Sequence, residues 1–174
     1  AEGDKIPDIS DFLLRVLTDK EERVREYAAD AMEFLEIDLV KEGLMDALHD
    51  DSHRVRESAA VVLGPLAIEI LVKTMENKDE DKRESSVNSL SNIGKKHQDK
   101  RVIAPLSKAL REDNLAYSAA EGLKYFLEYS EEDDTKSDIL EILISNSENG
   151  IEQTLEACYF ELSKINSEYL PNSQ

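Results

Sequence analysis

Apolar residues along the chain recur at three- and four-residue steps, so the pattern predicts helices and no alternating strands. Ile9, Phe12, Leu13, Val16 and Leu17 form one such stripe, and Val24, Ala28, Met32 and Leu35 form the next, with Ala29 and Ala31 small enough for close helix approach. Thr18 or Asp19, with Glu21 or Glu22 three residues on, predicts a capping box between the two helices. The same arrangement follows at Val40, Leu44, Met45 and Leu48, then the turn His49-Asp50-Asp51-Ser52, then a helix over Arg54–Leu66.

Arg23–Leu35, RVREYAADAMEFL, is echoed 31 positions later by Arg54–Leu66, RVRESAAVVLGPL. An internal repeat of this length, built on helical pairs, is the signature of a stacked solenoid. A third pair runs from Ala67, Ile68, Leu71 and Met75 to Val87, Leu90 and Ile93, after a bend expected at Gly64-Pro65 because proline lacks a backbone donor. In the fourth, Gly94 is expected to close one helix and Pro105 to stand near the start of another, before Ala119, Ala120, Leu123 and Phe126. A fifth pair has Thr135, with Asp138, as the cap of Ile139–Ile144, a break at Asn149-Gly150, and a last helix carrying Ile151, Leu155, Tyr159, Leu162 and Ile165.

Spacing shows that the pairs are copies. Leu17 to Met32, Leu48 to Leu63 and Met75 to Leu90 each span 15 positions, and Leu110 to Leu123 spans 13. The expected fold is an all-α superhelix of about five helical hairpins in one domain over residues 1–174, with repeats near 8–36, 38–66, 67–94, 100–128 and 135–165 and a tail at 166–174.

Composition narrows the function classes. A formal charge of −18, acidic in both halves, repels phosphate backbones and anionic lipid, so neither nucleic acid nor membrane is an expected partner. Acidity also keeps a solenoid soluble, and that plain role stands beside steering of basic partners. Lys95, Lys96, Lys100, Arg101, Lys108 and Arg111, against Asp99 alone, make a basic island. No apolar run approaches the ~20 residues of a membrane span, and AEGDKIPD lacks the regions of a signal peptide, so a cytoplasmic setting is expected.

Catalytic and metal chemistry finds little support. His49 and His53 flank Asp50-Asp51 in a turn and bring no third ligand, and solvated turn histidines are the better reading. Cys158 lacks an adjacent His or basic residue and reads as a small hydrophobe in the last helix. No cofactor, metal site or catalytic residue is assigned.

The segment Ile93-Gly94 through Arg101-Val102-Ile103-Ala104-Pro105-Leu106-Ser107-Lys108-Ala109-Leu110, with Asp113 and Ala119-Ala120 and the two Val-Arg-Glu-x-Ala-Ala segments, resembles HEAT-like repeats of the phycobilisome-lyase type. The resemblance covers about Ile9–Ile165 and is strongest in the first four pairs. It implies an arginine–aspartate ladder, with Arg25, Arg56 and Arg83 paired to acids such as Asp19, Asp50 or Asp51, failing towards Ala116 and Glu152. The His-Glu pairs of HEAT-like iron hydroxylases are absent, since His49 precedes Asp50, His53 precedes Arg54 and His97 precedes Gln98. The basic groove and aromatic complement of HEAT-like glycosylases are not matched either, as the chain is acidic and has no Trp.

In such arrays the inner helices line a concave face, here carrying Tyr27, Asp30, Phe34, Glu57, Val61, Asn88, Asn92, Tyr117, Glu121 and Tyr125. Aromatic anchors beside carboxylates suit a basic or amphipathic protein segment, although Phe34 and Tyr125 equally suit packing between repeats. The expected function is therefore a non-catalytic scaffold, a protein-interaction module. The alternative implied by the resemblance is a lyase-type enzyme or enzyme subunit acting on a chromophore or protein. Self-association is expected if an end helix is uncapped.

Overall fold

The computed structural model describes residues 9–129 and 133–145. Within them the fold is all-α: α1 (Ile9–Val16), α2 (Glu22–Ala31), α3 (Ile37–Ala47), α4 (His53–Leu63), α5 (Ile68–Thr74), α6 (Glu80–His97), α7 (Ile103–Ala109), α8 (Asp113–Tyr129) and α9 (Asp133–Ser145). Short 3-10 turns occupy Met32–Phe34, Gly64–Ala67 and Lys100–Val102. The second helix expected in the fifth pair, with Glu152 and Cys158, lies outside the described residues. The chain divides into two compact units, with the boundary between Ser85 and Ser86.

In the first unit, successive helices pair across short turns, α1 with α2 and α3 with α4, and like packs on like, α1 on α3 and α2 on α4. The α2–α4 contact is the most extensive, as Ala28, Ala29, Ala59 and Ala60, all buried, let the two backbones approach. The hairpin spacing has a packing basis: Leu17, Met32, Leu48, Leu63, Met75, Leu90, Leu110 and Leu123 are all buried. Burying side chains of this size stabilises by roughly 1.5–3 kcal/mol each relative to exposure, so the matched positions are strongly fixed.

Several local expectations change. No capping box starts α2: its N-cap is Glu21, without a side-chain cap, and the Asp19 carboxylate instead accepts the Glu21 N–H at 2.8 Å. The Thr18 hydroxyl donates backwards to the Arg15 carbonyl at 2.8 Å. The Asx turn is then reused, Asp50 accepting from the Ser52 N–H and Asp99 from the Arg101 N–H. Ile9, Phe12 and Val24, expected in buried stripes, are exposed, since helical periodicity buries a side chain only where a neighbouring element covers it. Thr135 is inside the first turn of α9, which begins at Asp133, and so does not precede the helix as a cap.

The bend near Pro65 takes the form of a helix end at Leu63, where Gly64 adopts φ 54° and ψ −130° as the C-cap of α4. That left-handed geometry is inexpensive for glycine alone. Gly94 behaves differently from expectation: α6 runs through it to His97, and the helix ends at Gln98, whose φ is 52° and whose N–H reaches the Gly94 carbonyl at 2.9 Å.

Close approach explains both Gly94 and Gly122. In the second unit a Cβ on Gly94 would stand 2.9 Å from Val102 Cγ2 and 3.0 Å from Phe126 Cε2. One on Gly122 would lie 2.7 Å from Ser91 Cβ and 3.0 Å from Leu106 Cδ1. The Ser91 hydroxyl donates to the Ser118 carbonyl at 2.9 Å, so α6 and α8 are pinned where a methyl group has no room. Gly122→Ala is therefore expected to destabilise the chain by ~1–3 kcal/mol through overpacking, outweighing alanine's better helix propensity. Urea unfolding checks this, and an unchanged or raised midpoint contradicts the close approach.

Candidate functional site

The arginines near the starts of the second helices of successive hairpins form a repeated device in the first unit. Each directs Nη1 at the two backbone carbonyls of the turn before its own helix. Arg25 donates to Asp19 O at 2.9 Å and Lys20 O at 3.3 Å, Arg56 to Asp50 O at 2.8 Å and Asp51 O at 3.0 Å, and Arg83 to Asn77 O at 3.1 Å and Lys78 O at 3.4 Å. A helix approached through such a turn leaves carbonyls that water would otherwise satisfy, and a fixed fork of donors replaces that water.

The remaining donors of Arg25 and Arg56 reach forward. Arg25 grips Asp50 in a bidentate fork, with Nε and Nη2 both 2.7 Å from the carboxylate oxygens. Arg56 donates from Nε to the Ser85 hydroxyl at 2.8 Å and from Nη2 to the Asp81 carboxylate and, at 3.3 Å, the Asp81 carbonyl. With side-chain exposure of only 2%, Arg56 spends every N–H it has on these partners. The carboxylates engaged are thus Asp50 and Asp81, while Asp19 and Asp51 offer the arginines their carbonyls.

Electrostatics follow the geometry. Burial pushes the Asp50 carboxyl up, but the hydrogen bonds from Arg25 and the Ser52 N–H, with the charges of Arg25 and Arg56, outweigh it and hold the group below its ordinary value of 3.8. The hydrogen bond to Asp50 in turn raises the Arg25 guanidinium. Ala116, where a fourth arginine would stand, is buried, and Glu152 is outside the described residues.

The candidate partner-binding residues are laid out separately in the two units. In the first, Tyr27 is 66% and Phe34 87% exposed, with exposed Asp30 between them in sequence; Glu57 and Val61 are half-buried on α4. Phe34 therefore does not pack between repeats. In the second unit Tyr117 is 65% exposed, Glu121, Tyr125 and Asn88 are half-buried, and Asn92 is exposed. Tyr125 packs edge-on against Phe126, with ring centroids 6.4 Å apart, and lies 4.6 Å from Tyr129. Tyr129 is an addition to the sequence reading; it extends the Tyr117-Glu121-Tyr125 series by one more step of four. Val24, three residues before Tyr27, likewise adds exposed apolar surface to the start of α2.

His49, His53 and His97 are all exposed. Among the described residues no group of three or more His, Cys, Asp or Glu is placed to hold a metal ion, and no helix is long and apolar enough to cross a membrane.

No family model matches the chain, and no curated protein matches it. A similar solved structure is the crystal structure of an engineered protein, 18% identical with a TM-score of 0.48, covering 83% of this chain and 71% of that one.

The depressed pKa of Asp50 fixes a sign. Its stabilising contribution is complete above the ordinary carboxylate value of 3.8 and is lost as pH falls through the lower folded-state value. Asp50→Asn is expected to be less stable than the parent by roughly 1–3 kcal/mol at neutral pH. The gap between the two proteins should narrow below the ordinary value in urea melts across that range. A gap that is constant down to full acid unfolding contradicts the assignment.

Proposed function

We propose that the chain is a non-catalytic protein-interaction module of HEAT-like repeat architecture, which holds a basic or amphipathic segment of another protein on its second-helix faces. The observation that carries this reading is the exposure of Tyr27 and Phe34 on either side of Asp30. Large aromatic side chains left in water at 66% and 87% exposure cost hydrophobic free energy that a partner can recover, and binding hot spots are enriched in aromatic residues. Carboxylates around them steer cationic side chains and disfavour acidic competitors. Tyr117 and Tyr129, exposed on α8 in series with Glu121, repeat the combination in the second unit.

The geometry assigns different work to the arginines. Arg56 is buried and its donors are occupied, so it supports the turns and is not offered to a ligand. The chain's net charge of −18 makes a basic partner favourable at long range and the attraction dependent on salt.

A titration of the protein with a helical Lys/Leu amphipathic peptide, followed by amide NMR, tests the proposal. Saturable shifts on α2 or α8 are expected, weakening as salt rises from about 0.05 to about 0.3 M. The double change Tyr27→Ala with Phe34→Ala should weaken binding at the α2 face about tenfold or more. Equal binding of a Glu/Leu peptide, or no loss in the double variant, contradicts the reading.

A further inference from the structure

The second unit contains a groove of about 650 Å³ between α7 and α9 that none of the preceding argument uses. Its walls are one face of each helix. Lys100, Ile103, Ala104, Ser107, Lys108 and Arg111 recur at three- and four-residue steps through α7 and its flanking turns, and Thr135, Asp138, Ile139, Ile142 and Ser145 do so along α9. Ile103, Ala104, Ile139 and Ile142 give the groove apolar surface, while among the described residues that line it Lys100, Lys108 and Arg111 are cationic and Asp138 is acidic.

We propose that this groove binds a soluble small molecule with an anionic head, carboxylate or phosphate, and an apolar body. Three observations converge on that chemistry. The volume lies inside the ~300–1,000 Å³ typical of ligand sites, which are mostly apolar with a few placed polar groups. A chain with 39 acidic and 21 basic residues repels anions generally, so an anion site requires a local excess of cations, and half of the basic island is gathered here. Elsewhere in the island, Arg101 pairs with Asp99 at 2.6 Å.

The hydroxyls sharpen the assignment. Ser107 donates to the Ile103 carbonyl at 2.7 Å and Ser145 to the Ile142 carbonyl at 3.0 Å, so both protons are directed into their own helices. In the proposed site the head is selected by the charges of Lys100, Lys108 and Arg111. Arg111 supplies the planar fork that matches carboxylate and phosphate oxygens, and the two lysines act as point charges. The isoleucines of the lining take the apolar body, which separates this site from one for a bare inorganic ion.

The test is a titration of the full chain with monooctyl phosphate below its micelle concentration, read by calorimetry and amide NMR, with inorganic phosphate and 1-octanol as controls. Expected are one site per chain, shifts on α7 and α9, and binding about tenfold or more weaker for each control. Lys108→Glu with Arg111→Glu, and separately Lys108→Gln with Arg111→Gln, should each weaken octyl phosphate about tenfold or more with the helical circular dichroism intact. Both positions are exposed, so the neutral pair leaves a folded protein to measure even if the reversed pair does not. Absence of saturable binding, equal affinity for 1-octanol, shifts confined to other helices, or unchanged affinity in the neutral variant overturns the proposal. Binding of an acidic amphipathic peptide in the groove without octyl phosphate binding overturns it too. None of these outcomes bears on the peptide face of α2.

Discussion

Asp50 is held from two directions, and the first unit depends on that grip. Its carboxylate takes the fork of Arg25 from the hairpin before it, and its carbonyl takes Arg56 from the helix after it. Arg56 then reaches on to Asp81 and Ser85 at the start of α6. The turn before α4 is thereby tied both to the preceding hairpin and to the start of α6. An unpaired guanidinium in so enclosed a place would be costly, whereas one with all its donors satisfied stabilises the turns it bridges.

Fixing the turns fixes which residues need no core role. With α2 and α4 held in register, Ala28, Ala29, Ala59 and Ala60 close the helix contact, and Met32 and Leu63 fill the ends. Tyr27 and Phe34 then stand clear of that contact and remain in solvent. The second unit reaches close packing by other means: Gly94 and Gly122 admit neighbouring side chains, and Ser91 adds a bond to the α8 backbone. Within each unit the packing leaves aromatic side chains outside the core.

Much of this was legible in the residues. The 15-residue hairpin spacing fell on positions that are buried, because hairpin length and apolar periodicity are local properties. The arginine pattern was visible too, but the acid that Arg56 engages was not identified. Asp19, Asp50 and Asp81 keep a 31-residue interval, whereas Arg83 comes 27 residues after Arg56, so aligning on the arginines obscured the third aspartate. The exposure of Ile9, Phe12 and Val24 was illegible because helical periodicity reports a capacity for burial, and only a neighbour realises it. Gly94 looked like a helix end, since nothing local distinguishes a terminating glycine from one required by Val102 and Phe126. The groove between α7 and α9 joins two stretches that the sequence separates by more than twenty residues, and its lysines read there only as an island of charge.

The measurement that tests the arginine account most directly is native-state amide hydrogen exchange on the parent and on Arg56→Ala. Because Arg56 bonds to the turn at Asp50-Asp51 and to the start of α6 together, removing it should speed exchange in both segments at once, by about tenfold or more. Acceleration restricted to one of them, or absent from both, would show that the hairpins keep their register without the ladder.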